Sequence, residues 1–148
     1  MTAPALASFP SGGLALVLGA SGGVGGAVLQ ALKGSGRFAV AYGLHRGSTP
    51  PLDLLSEASI QAAAARADES GLPLRLVFDA TGVLQDERTA PEKSWRALNA
   101  DALLHAFAVN AVGPALCMKH LLPRLPRTGR SGSTATSRRT SASSASGS

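Results

Sequence analysis

The stretch LALVLGASGGVGGAVLQAL, residues 14–32, decides how this chain is read. Leu14–Leu18 is an apolar run too short for a helix and followed by glycine, which suits a strand buried on both faces. Gly19, Gly23 and Gly25 come next as G-x-x-x-G-x-G, and an apolar helical pattern runs from about Val24 to Leu32, ending at Lys33-Gly34. Strand, glycine loop and helix in that order make a phosphate-binding arrangement. Gly19 permits the tight turn, and Gly23 and Gly25 let pyrophosphate and neighbouring backbone come close. The freed N–H groups and the helix dipole favour negative charge. A glycine-rich turn with no ligand is the plain alternative; the flanking strand and helix weigh against it.

Working outward, RFAVAYGLH (Arg37–His45) predicts a second strand and Gly47–Pro51 a turn. Ser56 predicts the N-cap of a helix through Arg66, with Glu57 in its first turn. LRLVFDATG (Leu74–Gly82) predicts a third strand leading into a glycine-containing loop. The polar stretch DERTAPEKSWRALNAD follows, in which Trp95 reads as a lid over the sheet edge. A long helix then starts with Asp101 as N-cap. Leu104, Phe107, Ala111, Ala115, Met118 and Leu122 give it one apolar face, and Pro123 and Pro126 end it. The β-α-β-α-β-α order predicts an α/β fold: a doubly wound parallel sheet of the Rossmann type over residues 14–126, behind a Pro/Gly/Ser lead-in at 1–13.

The formal charge of +5 does not imply a nucleic-acid partner. Residues 1–126 hold ten Lys/Arg against nine Asp/Glu, whereas residues 127–148 hold four arginines and no acid. The basicity therefore belongs to a tail, RTGRSGSTATSRRTSASSASGS, with eight Ser, four Thr and no large aliphatic or aromatic residue. Such a segment buries too little apolar surface to offset its ordering entropy, and disorder is expected. Four arginines without aromatics support only salt-sensitive, non-specific contacts with nucleic acid. The abrupt change of character near Ser131 also fits out-of-frame translation of G+C-rich coding sequence. If so, another frame downstream of codon 130 should encode the missing strand-like run.

A lone Cys117 cannot form an internal disulfide. No Lys or Arg precedes Lys33, so the charged start of a secretory signal is lacking. The Leu14–Leu18 run is far shorter than the roughly 20 residues that span a bilayer. A soluble cytoplasmic protein, with no membrane contact, is the expectation.

Cofactor choice is read at the end of the second strand. An acid there would accept from the ribose hydroxyls of NAD. The sequence instead runs Leu44-His45-Arg46-Gly47-Ser48, and Arg46 can pair with a 2′-phosphate, which favours NADP. The plain alternative is a solvated loop arginine. His45, His105 and His120 read as solvated surface residues, Cys117 as a small core or interface residue, and no cluster has metal-ligand spacing. Pro114 lacks an N–H, so the Asn110 carbonyl four residues back is left to another partner, such as a water, or marks a helix kink.

Four blocks, in order, resemble the short-chain dehydrogenase/reductase family. GASGGVG resembles its cofactor loop, which implies cofactor contacts at Gly19, Ser21, Gly22, Gly23, Val24 and Gly25. Asp53-Leu54 resembles the acid-plus-apolar pair that contacts adenine. FDATG (Phe78–Gly82) resembles the N-N-A-G strand end, implying contacts at Ala80, Thr81 and Gly82, although Asp79 and Thr81 depart from the pattern. VNAVGP (Val109–Pro114) resembles the V-N-x-x-G segment whose asparagine belongs to the catalytic tetrad, implying that Asn110 helps hold a water in a proton relay. Leu18 stands where the family often has threonine. GVLQDERTAPEKSW and AFAVNAVGPALCMKHLLPRLPRTGR further resemble the C-factor-like subgroup.

The resemblance implies NADP-dependent hydride transfer between nicotinamide and a small carbonyl or alcohol, and it leaves room for a homo-oligomer. The family's Y-x-x-x-K and its partner serine are not found. The only tyrosine is Tyr42, and no lysine follows Lys119. This chain is therefore expected to be catalytically inactive by itself, with a non-catalytic NADP-binding or signalling module as the alternative.

Overall fold

Every residue of Leu14–Leu18 (β1) is buried, because the strand lies inside a parallel sheet with cores on both faces. The structure is a computed structural model that describes residues 6–83, 86 and 90–126 and the backbone of 133–136. After β1 come α1 (Gly23–Gly34), β2 (Val40–Leu44), α2 (Glu57–Ala65), β3 (Leu74–Asp79), α3 (Ala100–Phe107), α4 (Gly113–Leu121) and β4 (Ser133–Thr136). The sheet order is β2-β1-β3-β4, and each pairing is parallel. This is the expected doubly wound sheet.

Side chains alternate across β1. Leu14, Leu16 and Leu18 face a core shared with Ile60 and Ala63 of α2 and with Cys117 and Leu121 of α4. Ala15 and Val17 face a second core with Leu32 of α1 and with Leu76. The register of β3 against β1 slips between Leu14 and Ala15, which pair with Leu74 and Leu76. The extra residue, Arg75, shifts the alternation so that Leu74 and Val77 both reach the first core.

Several expectations need correction. β2 and β3 are shorter than predicted: Ala39 precedes β2, and Ala80–Gly82 belongs to a loop. The lead-in is not merely a leader. Leu6 and Phe9 pack on the second core, and the Arg37 side chain donates to the Phe9 and Ala7 carbonyls. The N-cap of the long helix is Asn99, whose side chain accepts from Ala102 N–H; Asp101 sits within the first turn. That helix is not uniform, since Ala108–Val112 is a π-helical turn joining α3 to α4. Trp95 covers no sheet edge. It is 73% exposed, with the Arg96 guanidinium 4.5 Å from its ring centroid.

The apolar stripe predicted for the long helix does not face the core. Leu104 is 66% and Phe107 62% exposed, and Met118 and Leu122 are exposed too. Gly113, Cys117 and Leu121, spaced by four, are the buried positions. Leucine is apolar on either face, so period alone could not choose between them. A Cβ on Gly113 would come 2.7 Å from Leu54 Cβ, a close approach that only glycine allows. By length and composition alone the continuous helical stretch Ala100–Arg124 suffices to cross a membrane.

Ser133–Thr136 lies within the tail expected to be structureless, yet it pairs along Leu76–Asp79. The expectation for the rest of 127–148, and the frame change proposed within it, fall outside the described residues.

Candidate functional site

The ends of β1, β2 and β3 are tied together where the sheet order reverses, the place where open α/β sheets bind ligands. Gly19 N–H donates to Leu44 O at 2.8 Å, and Ala80 N–H donates to Leu18 O at 2.9 Å. Gly19 has φ +76, and a Cβ on it would lie 2.8 Å from Ala80 O. Gly25 lies against Gly19, where a Cβ would come 2.2 Å from its carbonyl oxygen. Gly23 differs, because a Cβ there would meet no protein atom within 4 Å and would project into open space. The N-cap of α1 is Gly22, which offers no side-chain cap, and the first turn holds no acid. The positive end of α1 is thus left for an external anion.

A cleft of about 540 Å³ opens there, within the range of about 300–1,000 Å³ usual for ligand sites. Gly19, Ser21, Gly22, Gly23, Val24, Gly25, Arg46, Asp53, Leu54, Ala80, Thr81 and Gly82 all line it. The twelve residues singled out for a cofactor on sequence grounds are therefore neighbours, although they come from four separate segments.

Each segment is held. After β2, Ser48 Oγ accepts from His45 N–H and lies 2.7 Å from both the His45 and the Pro50 carbonyls, either of which can accept its single proton. Asp53 Oδ1 accepts from Leu55 N–H at 3.0 Å. Asp79 is buried, and its Oδ1 accepts from Thr81 N–H at 2.8 Å and from Thr81 Oγ1 at 2.6 Å. Asp79 and Thr81, which depart from N-N-A-G, are thus partners, an acid and a hydroxyl that together fix the turn at Ala80–Gly82.

Asn110 is not itself on the lining. It sits in the π-helical turn, and its side-chain amide bonds both backbone groups of Val83, which is on the lining. The irregularity anticipated from Pro114 is this π turn, closed by Gly113 N–H to Ala108 O.

Sequence reasoning missed seven lining residues: His45, Leu52, Leu55, Val83, Asp86, His105 and Val109. His105 and Val109 stand four apart, one turn along the helix, a spacing that Asn110 could have flagged. Asp86 carried no signal. The reading of His105 and His120 as solvated is corrected. His105 is 10% exposed and its Nε2 lies 2.9 Å from Asp86 Oδ2; His120 Nε2 lies 3.0 Å from Glu57 Oε1. Tyr42 is not on the cleft. Its buried hydroxyl has no partner among the described residues, and burial pushes its pKa up to about 12.

No protein-family model matches the sequence, and no curated protein does either. Solved structures do. A short-chain dehydrogenase from Streptomyces avermitilis superposes with TM-score 0.69 at 23% identity, over 85% of this chain and 48% of its own. An NADPH-bound carbonyl reductase from chicken fatty liver gives 0.65 at 20%, over 78% and 49%. The ligand-free aldohexose dehydrogenase of Thermoplasma acidophilum gives 0.65 at 16%, over 82% and 46%. The chain has the short-chain dehydrogenase fold. It spans about half the length of these structures. In terms of that fold, the cleft lies at the strand ends, and the glycine loop, the turn after β2 and the β3 end form its walls.

Proposed function

We propose that this chain is the NADP-binding portion of a short-chain dehydrogenase/reductase of the C-factor-like subgroup. The observation that carries the reading is the convergence of the glycine loop, Arg46, Asp53-Leu54 and Ala80–Gly82 on one cleft. The glycine loop and the uncapped start of α1 would hold the pyrophosphate, Arg46 the 2′-phosphate, and Asp53-Leu54 the adenine. The open space at Gly23 fits this, since a phosphate can approach the backbone there. Bound in the cleft, the nicotinamide would supply or accept a hydride for a small carbonyl or alcohol.

Proton transfer needs an acid. The one tyrosine in the 148 residues is Tyr42, which lies in β2 with its hydroxyl buried and off the cleft. By the same resemblance Asn110 would help hold a relay water, with no partner tyrosine in this chain to serve. We therefore expect binding without turnover, and that same observation favours a second reading, a non-catalytic NADP-binding or signalling module. We also propose a cytoplasmic, membrane-free protein that self-associates through the exposed face of α3 and α4.

Fluorescence titration tests the reading. NADPH should bind more tightly than NADH, and Arg46→Ala should cost NADPH affinity selectively. Equal affinity for both dinucleotides in the parent chain would refute the NADP assignment. Carbonyl reduction above background by the purified chain would refute its inactivity.

A further inference from the structure

We propose that His45 is a second recognition element for the 2′-phosphate, donating from Nε2 in addition to Arg46. The inference deepens the NADP reading and rests on it. Gly47 N–H donates to His45 Nδ1 at 3.0 Å. A backbone N–H can only donate, so Nδ1 presents its lone pair and the proton of the neutral ring sits on Nε2. Among the described residues Nε2 has no hydrogen-bond partner, and His45 is one of the residues lining the cleft. An imidazole with one nitrogen fixed and a donor nitrogen unused is poised for an acceptor on a ligand.

The ring is held in place by the turn that carries it. Ser48 Oγ accepts from His45 N–H at 3.0 Å, and the His45 carbonyl lies 2.7 Å from Ser48 Oγ and accepts from Leu52 N–H at 2.9 Å. Gly47 leaves room for the ring, since a Cβ there would come 3.3 Å from His45 Cε1. Arg46 is the neighbouring residue and lines the same cleft. Asp53 is the nearby carboxylate in sequence on that lining, and its Oδ1 is engaged by Leu55 N–H.

The chemistry favours a phosphate over a ribose hydroxyl. Arg46 supplies charge, and a neutral N–H supplies direction without needing to be protonated. A hydrogen bond to an anionic oxygen is about twice as strong as one between neutral groups. His45 should therefore add more to NADPH affinity than to NADH affinity, and more to 2′,5′-ADP than to 5′-AMP.

The test measures dissociation constants of the full chain for NADPH, NADH, 2′,5′-ADP and 5′-AMP. His45→Ala should weaken NADPH and 2′,5′-ADP by about tenfold, the scale of one hydrogen bond to a charged group, and leave NADH and 5′-AMP unchanged. His45→Gln, which keeps an N–H donor, should recover most of the loss. Thermal melts of both variants exclude misfolding as the cause. If His45→Ala shifts all four ligands equally or none, while Arg46→Ala still loses NADPH selectively, the His45 assignment is wrong and the NADP reading stands. If the parent chain shows no preference for the 2′-phosphate ligands, both fall together.

Discussion

The side-chain amide of Asn110 grips the backbone of Val83 at both polar groups: Oδ1 accepts from Val83 N–H at 2.7 Å, and Nδ2 donates to Val83 O at 2.8 Å. The π-helical turn is thereby fastened to the loop after β3, and the Ala80–Val83 wall of the cleft is set. Asn110→Ala should destabilise the chain by about 1 kcal/mol, because exposed bonds of this kind contribute at the low end of their range. Amide exchange at Val83 should quicken. Asn110→Asp keeps the acceptor and loses the donor, so Val83 N–H should stay protected in that variant. Unchanged Val83 exchange in Asn110→Ala would show that the loop is held by something else.

Gly23 and Gly25 make opposite demands on a methyl group. A Cβ on Gly25 would strike the Gly19 carbonyl, so Gly25→Ala should lower the melting temperature, an overpacking cost of about 1–3 kcal/mol or more. A Cβ on Gly23 meets nothing in the protein, and alanine is the better helix former by about 1 kcal/mol. Gly23→Ala should melt no lower than the parent and yet lose NADPH affinity by about tenfold, because its methyl occupies ligand space. Full NADPH affinity in a well-folded Gly23→Ala would remove the phosphate from this loop.

Most of the fold was legible because its signals are local. Five consecutive apolar residues before a glycine loop suit a strand wet on neither face, and Leu14–Leu18 is one. Ser56 caps α2 as its side chain predicts. The twelve lining residues were legible through the glycine pattern, the arginine in place of an acid after the second strand, and the resemblance. What escaped depended on tertiary placement. Asp86 and His105 are nineteen residues apart, and only the fold brings their side chains together. Ser133–Thr136 has no apolar residue larger than Ala135, so nothing in STAT marks it; it is a strand because β3 offers it a backbone edge.

Glu57 links α2 to α4, with Oε1 accepting from Lys119 Nζ at 2.6 Å and facing His120 Nε2 at 3.0 Å. The Lys119 hydrogen bond, and then that of His120, hold the carboxyl below its ordinary value of 4.5. A lowered folded-state pKa means the contribution is present above about pH 4.5 and is lost as the pH falls through the folded value. Glu57→Gln should therefore melt closer to the parent at pH 3 than at pH 6. A constant difference in melting temperature across that window would mean the pair contributes nothing through its charge.

Cys117 lies in the first core under β1 and α4, and burial pushes its thiol up to about 12. Only the thiolate attacks disulfide reagents. At pH 8 the native chain should react with a disulfide reagent far more slowly than the chain in denaturant, and the native rate should report opening of α4 from the sheet. Equal rates in the two states would mean that α4 does not stay docked.

Leu104 and Phe107 stand one turn apart on α3, and both are more than three-fifths exposed. Leu103, Val112, Met118 and Leu122 extend the exposed apolar surface along the same helical stretch, while Gly113, Cys117 and Leu121 are committed to the sheet. Exposed apolar side chains of this number along one helical stretch favour association. Two copies meeting on it would each cover a leucine and a phenylalanine, and full burial of such a side chain contributes about 1.5–3 kcal/mol. Leu104→Glu with Phe107→Glu removes that gain and adds like charges across any symmetric contact. We expect the parent chain to sediment as a dimer or larger species at micromolar concentration, and the double variant to dissociate at least about 100-fold more readily. Both substitutions lie away from the buried positions of α4, so the melting temperature of the double variant should not fall with dilution, whereas that of the parent should. A parent chain that sediments as a monomer at all concentrations, or a double variant that associates as strongly as the parent, would assign this surface to something other than self-association.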